Sequence, residues 1–168
     1  MIVLAWSCSA GTEHEGGRPG SIFGSFSAKR NVVAFCIMGG IFSEGIDLTG
    51  ERLIGSVVVG PGLPQVCNER KIMMDYFNAR KSMEAYAGSS VDGFKYAYLY
   101  PGINKVFQSA GRVIRTEADA GVILLLDERF GTGEYNSLFP VEWQDAVFGN
   151  FDQISQSIEQ FWSNLNLS

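Results

Sequence analysis

Histidine is nearly absent from this chain of 168 residues, and cysteine is scarce. His14 stands alone, while Cys8, Cys36 and Cys67 are odd in number and far apart. No CxxC pair and no other metal-ligand spacing occurs. A structural zinc or an iron–sulphur centre within these residues is therefore not expected, and the thiols fit a reducing, cytoplasmic setting. Long apolar runs are missing too. Those present are strand-sized, so no membrane contact is expected, and Met1-Ile-Val-Leu-Ala-Trp6 lacks the charged start and long apolar centre of a signal peptide. Basic charge is not in excess: the net charge is −5. Residues 1–126 carry 12 basic and 11 acidic side chains, whereas residues 127–168 carry one basic and seven acidic. Proteins that bind nucleic acid unaided show a basic face, so any such contact must be local or shared with a partner domain.

What is present is enough apolar content, 46%, to bury the core of one domain. Residues 1–30 are weakly patterned. Ile2 to Trp6 has the makings of a strand, but GTEHEGGRPG (residues 11–20) is broken by glycine and proline, and residues 7–20 read as loop. Asn31 to Met38 (NVVAFCIM) is continuously apolar and β-branched, which predicts a strand buried on both faces, the habit of parallel sheets. Leu53 to Gly60 and Gly121 to Leu126 are two more such runs. Helices are expected over Gln65 to Ala87 and over Asn104 to Arg115. Strands alternating with helices predict an α/β fold with a parallel sheet. At the end of the chain, Phe151, Ile154, Ile158, Phe161 and Trp162 recur at helical spacing, which predicts an amphipathic helix packed on the body.

Two segments carry chemistry. In QSAGRVIR (residues 108–115) a regular helix would bring Gln108, Arg112 and Arg115 within an arc of roughly 60°. Val106, Phe107, Ala110, Val113 and Ile114 would then lie opposite. Guanidinium forks stay charged and grip phosphate oxygens with several bonds at once. Gly111 inside such a helix costs about 1 kcal/mol against alanine, which suggests a close approach by backbone or ligand. The alternative is that the arginines are merely solvated and Gly111 is a packing accommodation. The second segment, GGIFSEGIDL (residues 39–48), comes directly after the first clear strand, where open parallel sheets bind ligands. Ser43, Glu44 and Asp47 there either reach a ligand or only satisfy the turn's own N–H groups. A third segment, VILLLDE, looks like a magnesium-holding strand end. Yet no GxxxxGK[ST] phosphate loop occurs and Arg129 comes next, so Asp127 and Glu128 are read as structural.

In order and spacing these segments resemble one family. A strand, GGIFSEGIDL, a strand ending VVGPGLP, the step Tyr100-Pro101, QSAGRVIR and VILLLDERF together resemble the second RecA-like motor domain of XPD/DinG helicases of superfamily 2. The similarity runs from about Asn31 to about Trp143 and is greater to the bacterial members. The QxxGRxxR form is widespread among superfamily 2 motors; the long GGxFSEGIDL form and the LLLDERF tail narrow it to this group.

The resemblance implies a RecA-like, P-loop-NTPase-type parallel sheet flanked by helices over residues 31–168, incomplete at its start, after a poorly patterned segment 1–30. It implies ATP hydrolysis coupled to translocation along single-stranded DNA and to unwinding. Arg115 and Arg112 would stabilise charge on the γ-phosphate, and Gln108 would help order that site. Glu44, Gly45 and Asp47 would couple nucleotide state to the grip on DNA, with Gly40 and Ser43 touching the strand. ATP and magnesium would be held mainly by a first RecA-like domain carrying the phosphate loop, and that domain, or the parent's other regions, is the place for any iron–sulphur cluster. These 168 residues are accordingly expected to act as part of a helicase, inactive alone, and to be marginally stable or self-associating where a sheet edge is bare. The rival reading is a non-catalytic RecA-like adaptor that binds protein or nucleic acid.

Overall fold

The computed structural model describes residues 2–6, 32–40, 53–84 and 91–165. Two compact units are present, Met1–Leu126 and Asp127–Ser168. The first holds a four-stranded sheet: β1 (Ile2–Trp6), β2 (Val32–Cys36), β3 (Gly55–Val59) and β4 (Val122–Leu126), in the order β2-β1-β3-β4. The three apolar runs do form strands, and β3 and β4 pair in parallel from Gly55↔Val122 to Val59↔Leu126. The molecule is thus a mixed helix and strand fold with a small parallel pairing.

The sheet departs from a wholly parallel one at β1, which runs antiparallel to both neighbours, with Ile2 opposite Cys36 on one side and Val58 on the other. Strands β2 and β3 consequently point the same way. This insertion also changes the standing of β2. Its sequence is apolar on both faces, but it lies at the sheet edge, and Val33 (58%), Phe35 (71%) and Ile37 (80%) are exposed while Cys36 is buried. Burial raises the Cys36 thiol above its ordinary value.

Helix α1 spans Asn68–Glu84. Pro61 and Pro64 precede it and cannot extend a helix backward. Glu69 in its first turn suits the positive end of the helix dipole. After it, Lys95–Leu99 coil more loosely than an α-helix, the Tyr100 N–H reaching back five residues to the Lys95 carbonyl. Helix α2 (Tyr100–Ala110) continues directly, with Pro101 in the first turn where its missing N–H costs nothing. Helix α1 is tied to the loose turn by the Arg70 guanidinium donating to the Ala97 carbonyl (3.1 Å) and by Phe77 stacked on Tyr96 at 4.4 Å between centroids.

One face of α2 (Gly102, Ile103, Val106, Ser109, Ala110) is buried, as are Ser56 and Val58 on the neighbouring strand β3. At Gly102 and Gly62 the backbone around α2 admits no larger residue. A Cβ on Gly102 would lie 2.8 Å from the Pro61 carbonyl oxygen and 3.0 Å from Leu63 Cδ2. Gly62, at φ +63°, sits in the left-handed region that glycine tolerates.

The second unit begins with a tight turn, Glu128–Gly131, then α3 (Gly133–Asn136), a further turn at Val141–Trp143, and α4 (Phe151–Leu165). Phe130, Tyr135 and Phe139 are its buried centre, with Trp143 edge-on to Phe139 at 5.6 Å. Asp127 caps the first turn: its carboxylate accepts from the Arg129 backbone N–H (3.0 Å) and pairs in two places with the guanidinium, both at 2.7 Å. Arg129's side-chain bonds hold the Asp127 carboxyl below its usual range. The reading of Asp127 as structural is supported by these contacts. Helix α4 has the expected amphipathic spacing; none of its residues is buried within the second unit, and Phe151 is 84% exposed.

Candidate functional site

A regular helix through residue 115 would put Gln108, Arg112 and Arg115 on one ridge. The structure divides them. Helix α2 ends at Ala110, and Gly111 is its cap, with its N–H on the Phe107 carbonyl at 2.8 Å. Gln108 is exposed on the helix, Arg112 is half-buried in the turn after it, and Arg115 is exposed further along. The helix stops because the Val113 N–H reverts to a three-residue bond to Ala110 (3.0 Å), tightening the last turn. Of the apolar arc, Val106, Ala110 and Val113 are buried and Phe107 is half-buried, whereas Ile114 is exposed.

The inference drawn from Gly111 is likewise corrected. Its φ is −64° and the nearest atom to a Cβ there would be the helix's own Phe107 oxygen, at 3.1 Å. Among the described residues no foreign backbone presses on it. The close approach exists elsewhere, at Gly102 and at Gly121, where a Cβ would collide with Val113 Cγ1 and lie 3.0 Å from the Ile54 carbonyl oxygen.

The turn carrying Arg115 is held by a residue that the motif pattern does not single out. Asp119 Oδ2 accepts from the Arg115 N–H (3.0 Å), the Thr116 N–H (2.8 Å) and the Thr116 hydroxyl (3.1 Å). The Arg115 and Thr116 backbone bonds, in that order, hold the Asp119 carboxyl below its usual range, and the Arg115 charge adds to them. Three donors on one oxygen fix the backbone at Arg115 and orient the start of its side chain. The signal was a carboxylate three residues after a threonine, a spacing suited to closing a turn.

Of the glycine-rich segment, Gly40 is described, while Ser43, Glu44, Gly45 and Asp47 lie outside the described residues. Gly39 is in the left-handed region (φ +78°), and the Gly40 N–H donates to the Ile37 carbonyl at 3.1 Å, closing a turn just beyond β2. Met38 leaves the sheet at the carboxyl end of β2, where Gly62 leaves β3: a Cβ on Gly62 would lie 3.4 Å from Met38 Sδ and 3.2 Å from the Gly102 oxygen. Leu53 and Ile54 re-enter at the opposite end. There the Ile54 carbonyl accepts from the Val122 N–H (2.9 Å), beside Gly121 and Val113. Gly40 and Leu53 thus lie at opposite ends of the sheet, Gly40 at the end where α2 begins and Leu53 at the end of the arginine turn.

Two guanidiniums and an amide suit phosphate oxygens. Among the described residues no group of three or more His, Cys, Asp or Glu is gathered to hold a metal ion. Cys36 and Cys67 are free thiols. No described helix is long and apolar enough to cross a membrane.

Comparison with known proteins agrees with this inventory. Residues 8–146 match the helicase C-terminal domain family. Regulator of telomere elongation helicase 1 of Homo sapiens is 28% identical over 123 residues, covering 71% of this chain and 10% of that protein. A probable ATP-dependent helicase of Methanocaldococcus jannaschii is 32% identical over 99 residues, 54% of this chain and 14% of the relative. An ATP-dependent DNA helicase of Debaryomyces hansenii is 27% identical over 146 residues, 81% of this chain and 17% of the relative. The chain thus spans 10% to 17% of the length of these relatives. With most of its residues inside one family match, the chain belongs to the helicase C-terminal domain family, in the XPD/DinG group of superfamily 2 helicases.

Proposed function

We propose that residues 31–168 serve as the second, RecA-like motor domain of an ATP-dependent DNA helicase, completing an ATP site whose phosphate loop and magnesium belong to a first motor domain. The observation that carries this reading is the turn after α2, where Asp119 fixes the backbone at Arg115 and presents an exposed guanidinium close in sequence to Arg112. Arg115 and Arg112 lie against the γ-phosphate held by the first domain and stabilise the charge that gathers there during attack by water. Gln108, four residues before Arg112, orders the same site. Glu44, Gly45 and Asp47 couple that state to the grip on single-stranded DNA, which Gly40 and Ser43 touch. A bound nucleotide supplies the hydrolysable phosphate; this chain supplies positioned charge, and no described group of carboxylates to hold the metal.

The test is reconstitution. The chain alone is expected to show no ATP turnover with single-stranded DNA, and turnover should appear on adding the first motor domain of a parent helicase. Arg115→Ala should then lower the rate about 10³-fold, the lower end of the range for arginine fingers. Arg115→Lys should not restore it, because an ammonium lacks the planar fork. Robust turnover by the chain alone, or an undiminished rate with Arg115→Ala, contradicts the proposal.

A further inference from the structure

Between the glycine turn and Gln108 lies a residue that neither the motif pattern nor the proposed ATP chemistry uses. Lys105 is on the second turn of α2 and half-buried. Its stem runs against Gly39: a Cβ on that glycine would lie 3.5 Å from Lys105 Cε and 3.7 Å from Nζ. The φ of +78° there favours glycine, and a Cβ would meet the lysine only at ordinary van der Waals distance. Lys105 is the only charged residue of α2 (YPGINKVFQSA). On the helix it flanks the buried arc, and Gln108 lies on the same side one turn later. Among the described residues no carboxylate forms an ion pair with it, although Asp127 does so with Arg129. A half-buried lysine lying beside the Gly39 turn, with no described carboxylate to pair it, is placed to meet an anion from outside the chain.

Its position narrows which anion. Gly39 and Gly40 leave the carboxyl end of β2, and Gly62 and Gly102 mark the same end of β3. The Arg112–Arg115 turn is at the opposite end, beside Ile54 and Gly121. Along α2, an element about 16 Å long by its 1.5 Å rise, charge is therefore presented at two separated places. We propose that Lys105 binds a backbone phosphate of single-stranded nucleic acid beside the Gly39–Gly40 turn, distinct from the phosphate met by Arg112 and Arg115. This rests on the proposed contact of Gly40 with the strand. It adds a ligand residue beside the turn that Gly39 makes in the left-handed region.

The experiment is the salt dependence of binding of a fluorescent oligothymidylate to the 168-residue chain, measured by anisotropy for wild type, Lys105→Gln, Lys105→Arg and Gly39→Ala. Losing one phosphate contact should reduce the slope of log affinity against log salt by about 0.7, the value per charge for single strands. Lys105→Gln should show that loss and Lys105→Arg should restore the slope. Gly39→Ala, strained at a φ of +78°, should shift the turn beside Lys105 and weaken binding. Thermal melts of the variants separate loss of binding from loss of fold. If the wild-type chain binds and Lys105→Gln leaves the slope unchanged, the Lys105 assignment fails while the motor reading stands. If Lys105→Gln instead weakens ATP binding with no change in the oligonucleotide slope, the ammonium serves the nucleotide and the assignment is overturned. Absence of oligonucleotide binding by wild type also overturns it, and the reconstitution assay judges the motor reading separately.

Discussion

Asp119 illustrates how one side chain sets the geometry of others. Its Oδ2 gathers two backbone N–H groups and a hydroxyl, all from Arg115 and Thr116. Because those bonds favour the ionised form, its folded pKa is depressed. The stabilisation is then present above the unfolded value of about 3.9 and fades as pH falls through the folded one. Protection of the Arg115 and Thr116 amides relative to their intrinsic exchange rates, monitored by NMR, should fall on acidification below about pH 4. Asp119→Asn should accelerate the same amides at neutral pH, and protection indifferent to both changes would exclude the clamp. In sequence this residue was hidden, since Thr116-Glu-Ala-Asp119 reads as a solvated polar stretch. Arg112 and Arg115 were visible because guanidiniums at fixed spacing are rare and chemically specific. Lys105 was not, because its meaning depends on Gly39, 66 residues earlier, coming alongside it.

Among elements, α2 is where sequence and structure part most instructively. Apolar periodicity correctly marks Val106, Ala110 and Val113 as inward, yet the same periodicity continues through Val113 after the backbone has already left the helix at Ala110. Side-chain pattern reports which residues face the core and is insensitive to a helix that tightens and stops. The two glycines of this region should accordingly behave in opposite ways. Gly102→Ala places a methyl 2.8 Å from the Pro61 oxygen and should cost about 1–3 kcal/mol, the range for overpacking. Gly111→Ala meets one oxygen at 3.1 Å with an ordinary φ and should change stability by less than about 1 kcal/mol. Melting temperatures of the two variants decide the matter; equal losses would put the tight approach in the wrong place. In the second unit, Phe139→Ala removes a buried ring that meets Phe130 and Trp143. It should cost about 3–5 kcal/mol, seen as an early melt of residues 127–168 by exchange mass spectrometry.

At the scale of the whole chain, the strand runs of β3 and β4 and their parallel pairing were legible because β-branched stretches bounded by glycine have few other homes. The antiparallel entry of β1 was not, since pairing partners that distant leave no local mark on either strand. Its consequence is that β2 is the outer strand among the described residues. With Val33, Phe35 and Ile37 exposed and no lysine or proline between residues 32 and 38 to discourage pairing, the chain is expected to self-associate as concentration rises. Phe35→Lys should raise the monomer fraction in analytical ultracentrifugation, and a wild-type chain that stays monomeric into the millimolar range would contradict the expectation.

The loose coil at Lys95–Leu99 has a further consequence for how this architecture tolerates change in length. A π-turn houses one residue more than an α-turn over the same rise, so it absorbs an insertion without rotating the helix downstream. Deleting a single residue there should let an ordinary turn close and leave Lys105 and Gln108 facing as before, whereas the same deletion between Gly102 and Lys105 would swing both by about 100°. Slack is thus stored immediately upstream of α2, and drift in chain length has a place to settle where that helix keeps its orientation.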